Sequence, residues 1–363
     1  MKADFLVDAP EFVRALQNDM AKARTKIYIQ AMTFEGDAAG HQITDVLASS
    51  SAKDRRILVD SYIKVMLSDR LLFSPKNRRD PNLQREAKET EQLFKGLPAL
   101  GVQVRYMNPL GFFLTKYPIR NHKKIVLIDD SICYIGGINF SDHNFSWHDM
   151  MLRIESPALH TVLLRDFLST WDGQNISAIE RVNDFTCYFL DGKANQALFL
   201  PILQKIAAAE KSIFIETPYF SFPFYEPLRQ ARRRGVQVDL VAPEINNKLF
   251  MHKYNLWEAQ RSDVRLWLLR DRMTHLKAML IDDCFLIVGS SNFDFVSYRS
   301  QQELLVTIEN PRIIAEFRKR IIEPDLAHSL LWQGQVPHRR GFLRYAALKV
   351  VGNLWVGLSR LCS

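Results

Sequence analysis

His122, Lys124, Asp129, Gly136, Gly137 and Asn139 recur 153 positions further on as His275, Lys277, Asp282, Gly289, Ser290 and Asn292, at the same internal spacing. A set of this kind repeated in register within one chain is a duplicated functional unit, not an accident of composition. Its residue types suit cleavage of a phosphodiester. That anion repels ordinary nucleophiles, so without a metal the reaction calls for fixed positive charge on the nonbridging oxygens, a nucleophile for phosphorus and an acid for the departing oxygen. Lys124 and Lys277 supply the charge, and the side-chain amides of Asn139 and Asn292 can donate hydrogen bonds to phosphate. Histidine fills the remaining roles, because an unperturbed pKa of about 6.5 lets one imidazole be neutral while its twin is protonated. One of His122 and His275 attacks; the other carries the proton. Two half-sites in one chain imply one symmetric active site.

Each half also places an acid at nearly the same offset: Asp149 lies 27 residues past His122, and Glu303 lies 28 past His275. A carboxylate bonded to one imidazole nitrogen fixes the tautomer, turns the other nitrogen toward phosphorus and stabilises the cation that forms. Asp149 and Glu303 are read as such orienting carboxylates, each serving its own half or the opposite one. Asp129 and Asp282 complete the signature and are counted with the catalytic set, although their place at strand ends suits holding loops better than touching substrate. Competing chemistries lack their motifs. There is no G-x-x-x-x-G-K-[ST] phosphate loop and no G-x-S-x-G elbow, and His143 and His148 lack metal-site spacing, so neither metal nor cofactor is expected.

These residues resemble the phospholipase D superfamily, whose double-motif members pass through a covalent phosphohistidine. Arg120-Asn121-His122-Lys123-Lys124, Trp147-His148-Asp149, Phe167, Trp171 and, in the second half, Thr217-Pro218-Tyr219-Phe220 are similar to the bacterial cardiolipin synthase branch. The resemblance covers most of the chain. It implies transfer of a phosphatidyl group onto a lipid alcohol, with phosphatidylglycerol as both donor and acceptor and glycerol released. It also implies that His122 attacks and His275 transfers the proton. From the residues alone, hydrolysis of a phospholipid to phosphatidic acid and nuclease action stay open, since water or an alcohol could resolve the same intermediate. Nucleic acid is the less favoured partner, because an apolar loop leads into His122. A non-catalytic membrane protein has no support in two complete signatures.

The elements that must position these residues are also duplicated. Residues 26–29 and 211–215 read as equivalent strands, as do 56–59 with 236–241 and 102–106 with 264–268. The motif strands, 125–128 and 278–281, are apolar runs too short for helices and suit a sheet covered on both faces. Strands alternating with helical stretches imply an α/β fold of two similar phospholipase D-like halves, each a mixed sheet flanked by helices, with the active site at their pseudo-twofold interface. The halves are placed at 1–178 and 179–325, broken near Asp172-Gly173-Gln174-Asn175, and followed by a basic amphipathic tail over 326–363.

Composition points toward an anionic surface. The chain of 363 residues carries a net charge of +8, and no stretch approaches the roughly 20 apolar residues a spanning helix needs. The tail holds five basic residues, Arg339, Arg340, Arg344, Lys349 and Arg360, and no acidic one. Leu348, Val351, Leu354, Trp355, Leu358 and Leu361 fall on one helical arc, which suits either an interfacial helix or one packed on the body. Residues 108–120 bring Phe112, Phe113 and Leu114 up to His122, and 63–81 form a basic insertion without a counterpart. The four cysteines, Cys133, Cys187, Cys284 and Cys362, have no C-x-x-C spacing and read as reduced core residues. The expected location is the cytoplasmic face of a bacterial cell membrane, held peripherally, with the oligomeric state left open.

Overall fold

The computed structural model describes residues 2–361 except 115, and leaves undescribed the side chains of 113, 338–340, 344, 351, 355, 356 and 358–361. Trp355, Leu358, Leu361, Val351 and the tail arginines are therefore outside the described side chains, and Cys362 is outside the described residues. The chain divides into two compact units, Met1–Ile176 and Ser177–Ser363. The boundary falls two residues before the expected junction.

The first unit contains β1 (Lys2–Val7), β2 (Lys26–Ala31), β3 (Asp54–Asp60), a short hairpin of β4 (Met66–Leu67) and β5 (Arg70–Leu71), β6 (Gln103–Met107), β7 (Ile125–Ile128), β8 (Ile132–Gly136) and β9 (Met150–Glu155). Its helices are α1 (Asp8–Lys22), α2 (Ala38–Ser49), α3 (Pro81–Gly96), α4 (Asp142–Phe145) and α5 (Pro157–Trp171). The second unit contains β10 (Ala178–Val182), β11 (Phe185–Asp191), β12 (Ser212–Glu216), β13 (Gln237–Pro243), β14 (Arg265–Leu269), β15 (Ala278–Ile281), β16 (Phe285–Gly289), β17 (Gln302–Ile308) and β18 (Ser329–Leu331). Its helices are α6 (Asn195–Ala207), α7 (Tyr225–Arg233), α8 (Leu249–Ser262), α9 (Phe295–Arg299), α10 (Pro311–Phe317), α11 (Glu323–Ala327) and α12 (His338–Leu361).

Seven strands of each unit match one for one. The first sheet runs β1-β9-β8-β7-β2-β3-β6, and the second repeats it as β11-β17-β16-β15-β12-β13-β14, adding β10 at one edge and β18 at the other. In both, the last three strands of that order are parallel and the rest antiparallel. The two halves are one mixed α/β fold, repeated.

Burial explains the strand sequences. Every residue of β7 and β15 is buried, as four-residue apolar runs at the centre of a sheet covered on both faces should be. In the first unit Phe12, Leu16, Ile43, Leu47, Leu83 and Phe94, from α1, α2 and α3, form one core with Ile27, Ile29, Ile57, Val126 and Ile128. The opposite face carries α5, where Phe167 stacks on Tyr28 with ring centroids 4.9 Å apart. The second unit repeats this contact as Phe214 against Phe317 of α10, at 6.5 Å. Helix starts are fixed locally: Asp80, Ser156 and Asn310 each precede a proline and cap the helix by accepting backbone N–H bonds.

Three features differ from the sequence reading. The tail does not stand apart as its own region, since β18 pairs with β14 and α12 packs on α8, where Trp257 meets Tyr345. Its apolar arc is split, with Leu348 buried and Leu354 exposed. Cys284 is exposed, because the turn after β15 carries it outward, whereas Cys133 and Cys187 are buried. The insertion, finally, is only partly solvated: Ile63, Leu67 and Leu72 join the first core, and Lys64 sits 4.0 Å over the ring of Tyr106.

Candidate active site

His122 and Lys124 immediately precede β7, and His275 and Lys277 immediately precede β15. Because β7 runs antiparallel to β2, with Ile125 opposite Gln30, the His-Lys pair lies at the carboxyl end of the parallel strands. Ligands of open α/β sheets bind at that end. Asn139 follows β8, whose Ile135 pairs with Ile125, so it reaches the same end of the sheet. The second unit repeats the arrangement through β12, β15 and β16. Within each unit the structure thus brings His, Lys and Asn together, with both histidines, both lysines and both asparagines buried.

The local bonds orient these groups. Lys124 Nζ donates to the carbonyl of its own His122 at 2.7 Å, and Lys277 Nζ donates likewise to His275. Lys277 Nζ also stands 2.8 Å from His275 Nδ1. Asn139 Oδ1 accepts the backbone N–H of Thr33 at 3.3 Å, which leaves its NH2 to donate.

Sheet pairing sets Asp149 and Glu303 at equivalent places, each one residue before the residue whose carbonyl faces the first motif glycine. They are supported differently. A Cβ on Gly137 would lie 2.3 Å from Asp149 Oδ1, so this carboxylate occupies the space a side chain would take. Ser290 fills the corresponding position in the second half and donates to Glu303 Oε2 at 2.5 Å, while Ser297 donates to Oε1 at 2.9 Å. Asp294, buried two residues past Asn292, caps α9, and burial pushes its carboxyl up to about 6 against the Ser297 N–H and the Lys248 charge.

Asp129 and Asp282 are not in the reacting set. Asp129 accepts the backbone N–H groups of Arg24, Thr25 and Lys26, and Asp282 those of Glu210, Lys211 and Ser212. Their geometry makes them clamps that tie the β7–β8 and β15–β16 turns to the starts of β2 and β12. Burial alone would raise both carboxyls, but the converging donors hold them below the usual range. A depressed native pKa contributes stability that is full above the unfolded value of about 3.9 and is lost as pH falls through the native one. Asp129→Asn is therefore expected to cost about 1–3 kcal/mol at pH 7 and clearly less at pH 3. Urea unfolding at the two pH values checks this, and an equal cost at both would refute the clamp.

Two buried ion pairs near His122 have no signal in the sequence. Asp60 Oδ1 accepts from Arg120 at 2.7 Å, while its other oxygen takes the Asn121 N–H at 2.7 Å and the Asn108 amide at 2.9 Å. Burial pushes Asp60 up and the Arg120 charge draws it back. Lys123, next to His122, holds Asp166 of α5 at 2.7 and 2.8 Å. In the second half Leu276 stands where Lys123 does, and Thr274 with Glu216 at 2.5 Å replaces Asn121 with Gln30 at 3.1 Å. The residues linked are 43 and 60 positions apart in the first half, so only the fold reveals them.

A repeated α/β half that sets His, Lys and Asn at one sheet end has the architecture of a phospholipase D-like domain. A family model described as "Cardiolipin synthase, PLD-like domain" matches residues 16–171 and 202–323, and the chain belongs to that family. Among curated relatives, cardiolipin synthase 1 of Staphylococcus epidermidis is 26% identical, the match covering 93% of this chain and 70% of that protein. The major cardiolipin synthase ClsA of Bacillus subtilis is 23% identical over 83% of this chain and 64% of its own length. Among solved structures, a phosphatidylserine synthase from Haemophilus influenzae superposes with a TM-score of 0.70 at 17% identity, covering 98% of this chain and 95% of that one, which shows the shared fold.

Proposed function

We propose that the protein is a phosphatidyltransferase that converts two phosphatidylglycerol molecules into cardiolipin and glycerol. The observation that carries this reading is the double His-Lys-Asn set at equivalent sheet ends, in a chain whose curated relatives are cardiolipin synthases. His122 attacks the phosphorus of the first lipid, forming the N–P bond as the bond to glycerol breaks. His275 gives the departing oxygen its proton, so glycerol leaves neutral and a phosphatidyl-histidine remains. The hydroxyl of a second phosphatidylglycerol then returns a proton to His275 as its oxygen attacks phosphorus, releasing His122. Lys124, Lys277, Asn139 and Asn292 stabilise the nonbridging oxygens throughout, and Asp149 and Glu303 orient the imidazoles.

The division of labour between His122 and His275 follows the order of the two motifs in the phospholipase D superfamily, whose first-motif histidine usually attacks. Among the described residues no helix is long and apolar enough to cross a membrane. The net charge of +8 favours attraction to an anionic membrane surface, and the location proposed is the cytoplasmic face of the membrane.

Product analysis tests the reading. The protein incubated with phosphatidylglycerol alone is expected to yield cardiolipin and glycerol by mass spectrometry. Phosphatidic acid as the main product would instead establish a hydrolase, and cleavage of single-stranded DNA without lipid turnover a nuclease.

A further inference from the structure

Seven of the eleven large apolar side chains that the second unit leaves exposed, among the described residues, come from two elements: Phe342 on the flank of α12, and six others. Ile245, Leu249 and Phe250 lie in and just after the loop that follows β13, and Leu343, Val350 and Leu354 lie on α12. The exposures are high, 64% for Ile245 and 64% for Leu354, so these side chains serve no core of their own. Scattered surface leucines need no explanation, but their concentration on two elements does.

Helix α12 is held to its unit along a single stripe. Gly341 abuts Trp257, the Tyr345 ring lies 6.0 Å from Trp257, Leu348 is buried, and Gly352 abuts Phe295 and Phe222. At 3.6 residues per turn, Leu343, Val350 and Leu354 fall on the opposite side of the cylinder. The helix is thus both packed and apolar outward. The loop meets the same neighbourhood: Asn246 donates to the Pro218 carbonyl at 2.9 Å, Tyr219 donates to Asn247 at 2.6 Å, and Lys248 sits 4.1 Å over the Tyr219 ring. Both elements therefore lean on residues 218–222. That segment borders the second half-site, since Phe220 bridges to Phe293, next to Asn292.

We propose that α12 and the loop after β13 form one docking face for the surface of an anionic phospholipid bilayer. The six apolar side chains enter the boundary between headgroups and acyl chains beside the second half-site. The charge pattern selects this occupant: residues 326–363 carry five basic groups and no acidic one, and Lys248 and Lys349 stand at the border of the face. A helix with an outward apolar stripe and basic neighbours lies in the interface plane and does not span. The inference rests on the lipid reading above and deepens it, because a headgroup can then reach His275 and Asn292 without its lipid leaving the bilayer.

The test uses the full chain and two triple variants, Ile245→Ser with Leu249→Ser and Phe250→Ser, and Leu343→Ser with Val350→Ser and Leu354→Ser. Each is expected to bind phosphatidylglycerol–phosphatidylcholine vesicles at least tenfold more weakly in cosedimentation, while turning over detergent-dispersed phosphatidylglycerol within twofold of the parent. Leu354→Trp gives a readout independent of stability: its fluorescence should be quenched by vesicles of brominated phosphatidylglycerol. Unchanged vesicle binding, or no quenching, overturns the proposal. So does a parent dimer that the serine variants convert to monomer without loss of vesicle binding, which would assign the face to a second copy of the chain. If the parent turns over no phosphatidylglycerol but the variants still lose vesicle binding, the proposed chemistry fails and the docking face stands.

Discussion

His122→Ala is expected to form no phosphatidyl-histidine under any condition, whereas His275→Ala should accumulate one on His122 when the leaving group is good enough to need no proton. The asymmetry follows from the roles. Removing the acid leaves the nucleophile able to attack, and an activated ester such as a nitrophenyl phosphodiester supplies a departing group that is stable as an anion. Both variants should lose turnover of the natural substrate, His275→Ala by roughly 10^2 to 10^4-fold, the usual worth of general acid–base assistance. Denaturing mass spectrometry of quenched reactions would locate the adduct. An adduct on His275 in the His122→Ala protein, with none in its counterpart, would exchange the two roles. No adduct in any variant would remove the covalent mechanism.

Lys123→Leu should destabilise the first half by about 3–5 kcal/mol, because it leaves the Asp166 carboxylate buried with its ammonium partner gone. The same position in the second half is already a leucine, Leu276, fully buried two residues before the equivalent strand. The fold itself thus accepts leucine there, and the cost belongs to the orphaned charge. Lys123→Leu combined with Asp166→Leu is accordingly expected to recover most of the loss, since a buried ion pair often contributes no more than apolar side chains of similar volume. Urea unfolding of the single and double variants decides it. A double variant as unstable as the single one would show that the pair does more than neutralise itself.

Much of the scaffold could be read directly. The apolar runs over 125–128 and 278–281 are strands to the residue, and the three parallel strands of each half lie where the repeated patterns put them. Partners β8 and β16 were hidden because their hairpin turns lack glycine. Asp129 and Asp282 adopt the left-handed conformation themselves, at φ of 50° and 51°, while their carboxylates clamp distant backbone. The same double duty kept those aspartates in the catalytic list. His, Lys and Asn were recoverable because the repeat fixes their register. The Asp60–Arg120 and Lys123–Asp166 pairs were not, since each joins one residue near the motif to another with no regular spacing from it.

The contact between Gly137 and Asp149 bears on how the two copies could have diverged. One half combines a missing side chain with a short carboxylate, and the other a serine with a longer one. With aspartate opposite, a serine in place of the glycine would press its Cβ into the carboxylate; with glycine opposite, a glutamate would lose the hydroxyl that donates to its Oε2. Each mixed pair thus carries a cost, a clash in one case and a lost hydrogen bond in the other, that neither observed pair has. The halves are therefore not interchangeable parts: transplanting one member of either pair into the other half should fail where transplanting both succeeds. A duplication that began as two identical copies became, at this point, one that cannot readily be reversed.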